Sequence, residues 1–265
     1  IVMRLVGSEM CIRDRDNMKV QFMEMIPNDS ELYEKMFHST YRKLAFQNGI
    51  YDFEKEMLVE FSSEYSFTFK APVDLKLKGN EKMKNEVYQK LFVDVFGDPG
   101  VRKGELNYAS HDKAQYYLKV LARAIAGEIY DKKFFIVVGD GNSGKGTNTA
   151  GLFGAFGRFV DNVNAGSLSK KVGDDQAKAR SWMVGLKNTR IAVANEVSMD
   201  ASLDASVIKS LSPSGDPMTG RQNYQDESTF RLQTTALFFV NDMPKIKGMD
   251  EPTSNRLRYI ETEYS

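Results

Sequence analysis

Three short apolar runs constrain this chain more than any other feature: "KKFFIVVGDG", "RIAVANE" and "TALFFVND". Each is β-branched and aromatic, continuous rather than alternating, and stops at Gly139, at Asn195-Glu196 or at Asn241. A strand with one face in water alternates apolar and polar residues. A continuous run suits a strand buried on both faces, as in a parallel sheet flanked by helices. The expected class is therefore α/β. In open sheets of that kind the ligand site lies outside the carboxyl ends of the strands, where these three polar positions would converge.

Size and charge narrow the options. The 265 residues, 42% of them hydrophobic, suffice for one medium domain or two small ones. Lys plus Arg and Asp plus Glu each number 36, so no global basic field points to nucleic acid, and any such contact must come from a local patch. No apolar run is long enough to span a bilayer, and the chain reads as soluble with no membrane partner. His38 and His111 stand alone in the sequence, which argues against a His/Cys metal site. The stretch "RLVGSEMCIRDR", Arg4 to Arg15, resembles the in-frame translation of a transposase sequencing adapter. Residues 1–15, with the single cysteine Cys11, are accordingly set apart from the fold. The reading frame is then expected to be a fragment whose natural N-terminus lies upstream.

Local signals place the elements. Residues 32–46 are helix-compatible, and Asn48-Gly49 between apolar runs predicts a hairpin. The Lys-rich "FKAPVDLKLKGNEKMKNE" reads as a solvated loop leading into a helix. Beyond it, Leu118, Leu121 and Ile125 recur at helical spacing after Asp112, and Gly127 can end that helix.

The segment "GDGNSGKGTN" that follows the first apolar run nearly fits G-x-x-x-x-G-K-[ST]. Between a strand and a helix, such a loop cradles phosphates with its backbone N–H groups, and its lysine reaches the β- and γ-phosphate oxygens. The candidate binding residues are Gly139, Asp140, Gly141, Asn142, Ser143, Gly144, Lys145, Gly146 and Thr147. Gly146 stands where a hydroxyl usually helps hold Mg²⁺. Thr147 comes one residue late, about 100° round the helix. Mg²⁺ is then expected to be held through water by Thr147 and by Glu196, the acid that ends "IAVANE". Glu196 could also orient the attacking water, or be an ordinary surface acid at a strand end.

The next stretch, "VIKSLSPSGDPMTGRQNYQDESTFRLQTTALFFVNDMPKIKGMDEPTSNRLRYIE", resembles the superfamily 3 helicases, specifically the poxvirus-type primase-helicases of large DNA viruses, phages and plasmids. The matching positions are Lys209, Gly215-Asp216, Arg221, Asn241, Pro244 and Arg256, in the family's order after the loop and "IAVANE". Upstream, "KLAFQNGIYDFEKEMLVEFSSEYSFTFKAPVDL" is similar to the domain that precedes the ATPase in that family. The likeness covers about residues 41 to 263.

This resemblance implies an AAA+-like P-loop ATPase core with a parallel central sheet at residues 128–265, preceded by a small, mainly helical, helicase-associated domain at 16–127. It implies ATP and Mg²⁺ as cofactors, with Lys145, Glu196, Asn241 and Arg256 as catalytic residues. Asn241 would sense the γ-phosphate. Arg256 would be the arginine finger completing a neighbouring subunit's site, and "NRLR" leaves Arg258 as a competitor. Lys209, Arg221, Gln222 and Asn223 would touch single-stranded or forked DNA in the channel of a homo-hexameric ring, and Tyr224 could stack on a base. A primase domain or other replication proteins would be partners, in the host cytoplasm or at a viral replication site. The chain ends directly after the Arg-bearing strand, so the family's terminal subdomain is expected to be missing. Two other readings stay open at this point. "GKGT" also occurs in nucleotide kinases, and Gly146 with Asn195 would suit a non-catalytic DNA-binding or assembly module.

Overall fold

In the computed structural model, residues 29–96, 112–169, 180–195, 202–221 and 226–262 are described. The adapter-like segment 1–15 with Cys11, together with His111, Glu196, Gln222, Asn223 and Tyr224, lies outside the described residues.

The three apolar runs form strands β4 (Phe134–Val138), β6 (Ile191–Asn195) and β10 (Thr235–Val240). They sit side by side in one five-stranded sheet with β5 (Val160–Asn162) and β12 (Leu257–Glu261), in the order β12-β4-β10-β6-β5. Every neighbouring pair is parallel. The expected α/β class with a parallel sheet is thus what the chain forms. Alternate residues on the strands face opposite ways. Phe135, Val137, Ile191, Val193, Leu237, Phe239 and Ile260 enter one apolar cluster, and Phe134, Ile136, Ala192, Ala194, Ala236, Phe238, Val240 and Leu257 enter a second. Burial on both faces is why the runs are continuous.

Helix α3 (Asp112–Ala126) packs on the first face through Ala114, Tyr117, Val120, Leu121, Ala124 and Ile125; of the three residues whose spacing predicts it, Leu121 and Ile125 are buried and Leu118 is exposed. It ends where Gly127 takes φ +78°. On the same side lies α4 (Lys145–Phe156), joined to α3 by the buried Tyr117 hydroxyl, which donates to Asn148 Oδ1 at 2.6 Å. Burial holds the Tyr117 phenol neutral, well above its usual range, so it acts as a donor throughout. The second face is covered by α5 (Ala165–Leu168), by α6 (Ala205–Leu211) and by residues of 183–186 and 218–232, and β7 (Ser202–Asp204) pairs parallel with β11 (Lys245–Lys247) in a separate two-stranded sheet.

The segment before α3 holds more than helices. Helix α1 (Asp29–Thr40) stops short of the expected residues 32–46, and Lys43–Phe46 is instead strand β1. Arg42 adopts φ +52°, which breaks the helix, and β1 then pairs antiparallel with β2 (Gly49–Asp52), itself paired with β3 (Met57–Val59). The hairpin is the one predicted, with its two-residue turn at Gln47-Asn48, one position ahead of the Asn-Gly pair. Gly49 is needed because a Cβ there would lie 2.7 Å from Val59 O. Helix α2 (Glu81–Tyr88) is capped by Asn80, whose side chain accepts from Lys82 N and Met83 N, and it runs through a π-turn at Gln89–Val93 into Asp94–Phe96.

One buried cation ties this segment to the sheet. Arg190, at the foot of β6, is 2% exposed, and its Nη2 donates to Thr40 O at 2.7 Å and Lys43 O at 3.1 Å. Burial lowers its guanidinium to about 9, so it remains charged at neutral pH. Gln233, at the foot of β10, donates from Nε2 to Phe37 O at 2.6 Å. Replacing Arg190 with Ala removes the donor from the carbonyls of Thr40 and Lys43 and opens a cavity. Arg190→Ala is therefore expected to cost roughly 3–5 kcal/mol in chemical denaturation, with earlier proteolysis around residues 40–43; wild-type stability would refute this account of the junction.

Candidate functional site

At the carboxyl edge of the sheet, β4 runs through residues 139–144 into α4. The turn is held by its neighbours: Gly139 N donates to Val240 O at 3.1 Å, and Thr262 N donates to Val138 O at 2.8 Å. Two of its glycines are required by geometry. A Cβ on Gly139 would lie 1.7 Å from Thr262 Oγ1. Gly144, the residue preceding α4, has φ +84°, and a Cβ there would meet Val95 Cγ2 at 2.8 Å. Asn142 also takes a left-handed conformation, φ +65°, which asparagine tolerates better than most residues.

Inside this turn sits Lys145. Its ammonium donates to the carbonyls of Gly139 and Asp140, the latter at 2.6 Å, and to Ser143 Oγ at 3.0 Å. Desolvation lowers its pKa, and the nearby Asp140 partly opposes that. A cation at the amino end of a twelve-residue helix stands where the first N–H groups and the positive end of the helix dipole also point, an arrangement that attracts anions. The first turn of α4 is clear on its outer side: Gly146 and Thr147 are exposed, and a Cβ built on Gly146 meets nothing within 4 Å. Its inner side is fastened, with Thr149 Oγ1 donating to Lys145 O at 3.0 Å and Asn148 Nδ2 to Leu91 O at 3.0 Å.

The other candidates divide between the two edges of the sheet. Asn241 is exposed directly beyond β10, the strand lying between β4 and β6, so it stands beside the loop at the carboxyl edge. Asn195 ends β6 at the same edge, opposite Phe239; Glu196 follows it outside the described residues. Arg256 lies at the other edge. It closes α7 (Glu251–Arg256), and the next residue, Leu257, pairs with Phe134 at the start of β4. The length of β4 separates it from the loop, about 15 Å at the rise of a strand. Its Nη1 donates to Ser212 O at 2.6 Å. Arg258 is turned onto the backbone, donating to Leu257 O at 2.6 Å and Asn255 O at 3.3 Å.

Lys209 is engaged as well. Its ammonium binds Asp250 Oδ2 at 2.5 Å, while Asp250 Oδ1 caps α7 by accepting from Thr253 N at 3.0 Å. The Lys209 hydrogen bond, followed by those from Thr253, holds the Asp250 carboxyl well below the usual range. Arg221 lies just past β8 (Met218–Gly220), which pairs antiparallel with β9 (Ser228–Phe230). This hairpin docks on α1, with Ser30 Oγ accepting from Thr229 N at 2.9 Å and Glu34 accepting from Arg231 Nε at 2.7 Å. Thus the loop, Asn195 and Asn241 come together, and Lys209, Arg221 and Arg256 do not join them. Sequence reasoning did not find Thr262, Val95 or Asn148 as parts of the loop's support, because each acts through a contact distant along the chain and has no motif of its own.

Among the described residues no helix is long and apolar enough to cross a membrane, and no group of three or more His, Cys, Asp or Glu side chains could hold a metal ion. The family model that matches the chain is "Family of unknown function (DUF5906)", over residues 137–256. The chain is 32% identical over 239 residues to "Putative helicase V13" of Sputnik virophage, covering 89% of this chain and 29% of that protein. It is 23% identical over 223 residues to "Putative helicase L207/L206" of Acanthamoeba polyphaga mimivirus, covering 82% of this chain and 21% of that protein. With "Putative helicase 184R" of Invertebrate iridescent virus 6 the identity is 24% over 236 residues, covering 83% and 22%. A solved structure of the NrS-1 C-terminal region superposes with a TM-score of 0.47 and 16% identity, covering 66% of this chain and 37% of that one. The chain spans less than a third of the length of these three viral relatives. All three bear the name putative helicase, and all three are viral.

Proposed function

We propose that this chain carries the ATP-hydrolysing core of a DNA helicase of the superfamily 3, AAA+-like kind, working on single-stranded DNA as a ring. The observation that carries the reading is the placement of Lys145 in a glycine turn opening α4, with β10 set between β4 and β6 so that Asn241 stands beside that turn. A nucleotide's phosphates would take the place that the carbonyls of Gly139 and Asp140 now occupy on the Lys145 ammonium. The N–H groups of the first turn of α4 would donate to the same oxygens. Asn241, exposed and with an amide that both donates and accepts, would hold the γ-phosphate and the lytic water.

Glu196 would draw a proton from that water and orient it. Mg²⁺ would neutralise charge on the β- and γ-phosphates, and Thr147 with Glu196 would hold it through water, since Gly146 has no oxygen to offer. Arg256 lies at the edge opposite its own loop, which favours a role in a neighbouring copy's site; such a finger is worth ~10³–10⁵ in rate. Lys209 would have to leave Asp250 to touch DNA, so Arg221, Gln222 and Asn223 are the better candidates for backbone contacts. A binding module without turnover is the second reading, favoured by the missing hydroxyl at Gly146 and by Asn195 in place of a second acid.

Phosphate release from ATP, with and without single-stranded DNA, tests the proposal. DNA is expected to stimulate release, and Lys145→Ala to lower it at least about 100-fold. Nucleotide binding without release would favour the module, and transfer to a nucleoside monophosphate would favour a kinase.

The finger has its own test. Arg256→Ala and Lys145→Ala should each be inactive alone, and mixing them should restore turnover at interfaces that pair an intact loop with an intact finger. No recovery on mixing, with activity retained in Arg256→Ala and lost in Arg258→Ala, would move the role to Arg258.

Gly146→Ser fills open space and returns a hydroxyl to the usual position. It should reduce the Mg²⁺ needed for half-maximal hydrolysis by about tenfold, and an unchanged Mg²⁺ titration would count against metal binding through Thr147 and Glu196.

A further inference from the structure

Beside the phosphate loop lies a cleft of about 360 Å³, lined by Asp112, Lys113, Tyr116, Tyr259, Ile260 and Glu261. We propose that it receives the aromatic base of the nucleotide, and that Tyr116 and Tyr259 supply the stacking surface. The inference rests on the nucleotide reading of the loop.

Position is the first argument. Glu261 pairs with Val138, the last residue before the loop, and Thr262, the next residue, packs against Gly139. The cleft therefore opens at the carboxyl edge on β12, the strand next to the one that leads into the turn. The opposing wall is held in the same frame, because Tyr117, next to Tyr116, is hydrogen-bonded to Asn148 in α4.

Composition is the second argument. Tyr116 is 42% exposed and Tyr259 50% exposed, two large rings left open to water that line the cleft together with a buried Ile260. A flat ring with a polar tip stacks on a heterocycle of any identity. The rim then sorts the bases: Asp112 and Glu261 are carboxylates that accept from an exocyclic amine, and Lys113 can donate to a ring nitrogen. An amine-bearing purine suits this rim better than one with a carbonyl at the same position.

The test is equilibrium binding by the full chain of ATP, ITP and inorganic tripolyphosphate, which has phosphates and no base. Wild type should bind ATP more tightly than tripolyphosphate. Tyr116→Ala and Tyr259→Ala should each weaken ATP about tenfold and leave tripolyphosphate unchanged, while Tyr116→Phe and Tyr259→Phe retain wild-type affinity. The phenylalanine variants and the unchanged tripolyphosphate affinity exclude loss of folding as the cause. ATP affinity unmoved in both alanine variants overturns the proposal. ITP should bind more weakly than ATP to wild type, and the two should bind equally when Asp112→Ala and Glu261→Ala are combined; equal binding to wild type overturns the role of these carboxylates. Wild type that binds neither ATP nor tripolyphosphate overturns the phosphate-loop reading itself, and the cleft with it.

Discussion

A single guanidinium organises the amino edge of this protein. Arg190 is fully enclosed where β6 begins, and its bonds to Thr40 O and Lys43 O fix the point where α1 ends and β1 starts. Gly127 leaves the space it fills, since a Cβ there would stand 2.6 Å from Arg190 Nη1. Gln233 completes the junction from the next strand. The arrangement is not fully satisfied: Arg190 Nε and Gln233 Oε1 are buried without partners. Burying a charge is costly unless it is well hydrogen-bonded, so the carbonyls of Thr40 and Lys43 must stay in place. By locking one edge of the sheet to the preceding segment, Arg190 leaves the opposite edge to be shaped by its loops.

The sheet itself was readable because its signal is local. Continuous apolar runs at β4, β6 and β10 could only be buried on both faces, and the helical spacing of Leu118, Leu121 and Ile125 marked α3, although Leu118 lies on its exposed side. What periodicity does not carry is neighbour order. That β10 lies between β4 and β6, and that β12 covers the other side of β4, depends on long-range packing of strands with similar composition. Helix and strand were also confused at residues 41–46, where the left-handed Arg42 and pairing with β2 override a helix-compatible sequence. A small antiparallel sheet therefore stands in a segment expected to be mainly helical.

The site was legible wherever chemistry follows a motif. Gly139, Gly144 and Lys145 fall into a turn whose crowding explains the first two glycines and whose carbonyls hold the lysine. Lys209, which the family pattern makes a candidate DNA contact, here neutralises the residue that caps α7. The same patch positions Arg256 through Ser212. Both links run between α6 and α7, residues roughly forty apart in sequence, and no local pattern marks them.

The back of the glycine turn before α4 is built from a distant part of the chain. Val95 presses against Gly144, and Leu91 O, set in the π-turn after α2, accepts from Asn148. Residues 91–96 are thus a wall of the loop although they precede it by some fifty positions. For anyone cutting the chain into expressible pieces, Gly127 is a poor place for the knife. A piece beginning there would keep every motif residue and lose the surface on which the turn rests, so a unit that preserves the loop's shape has to include residues 91–96.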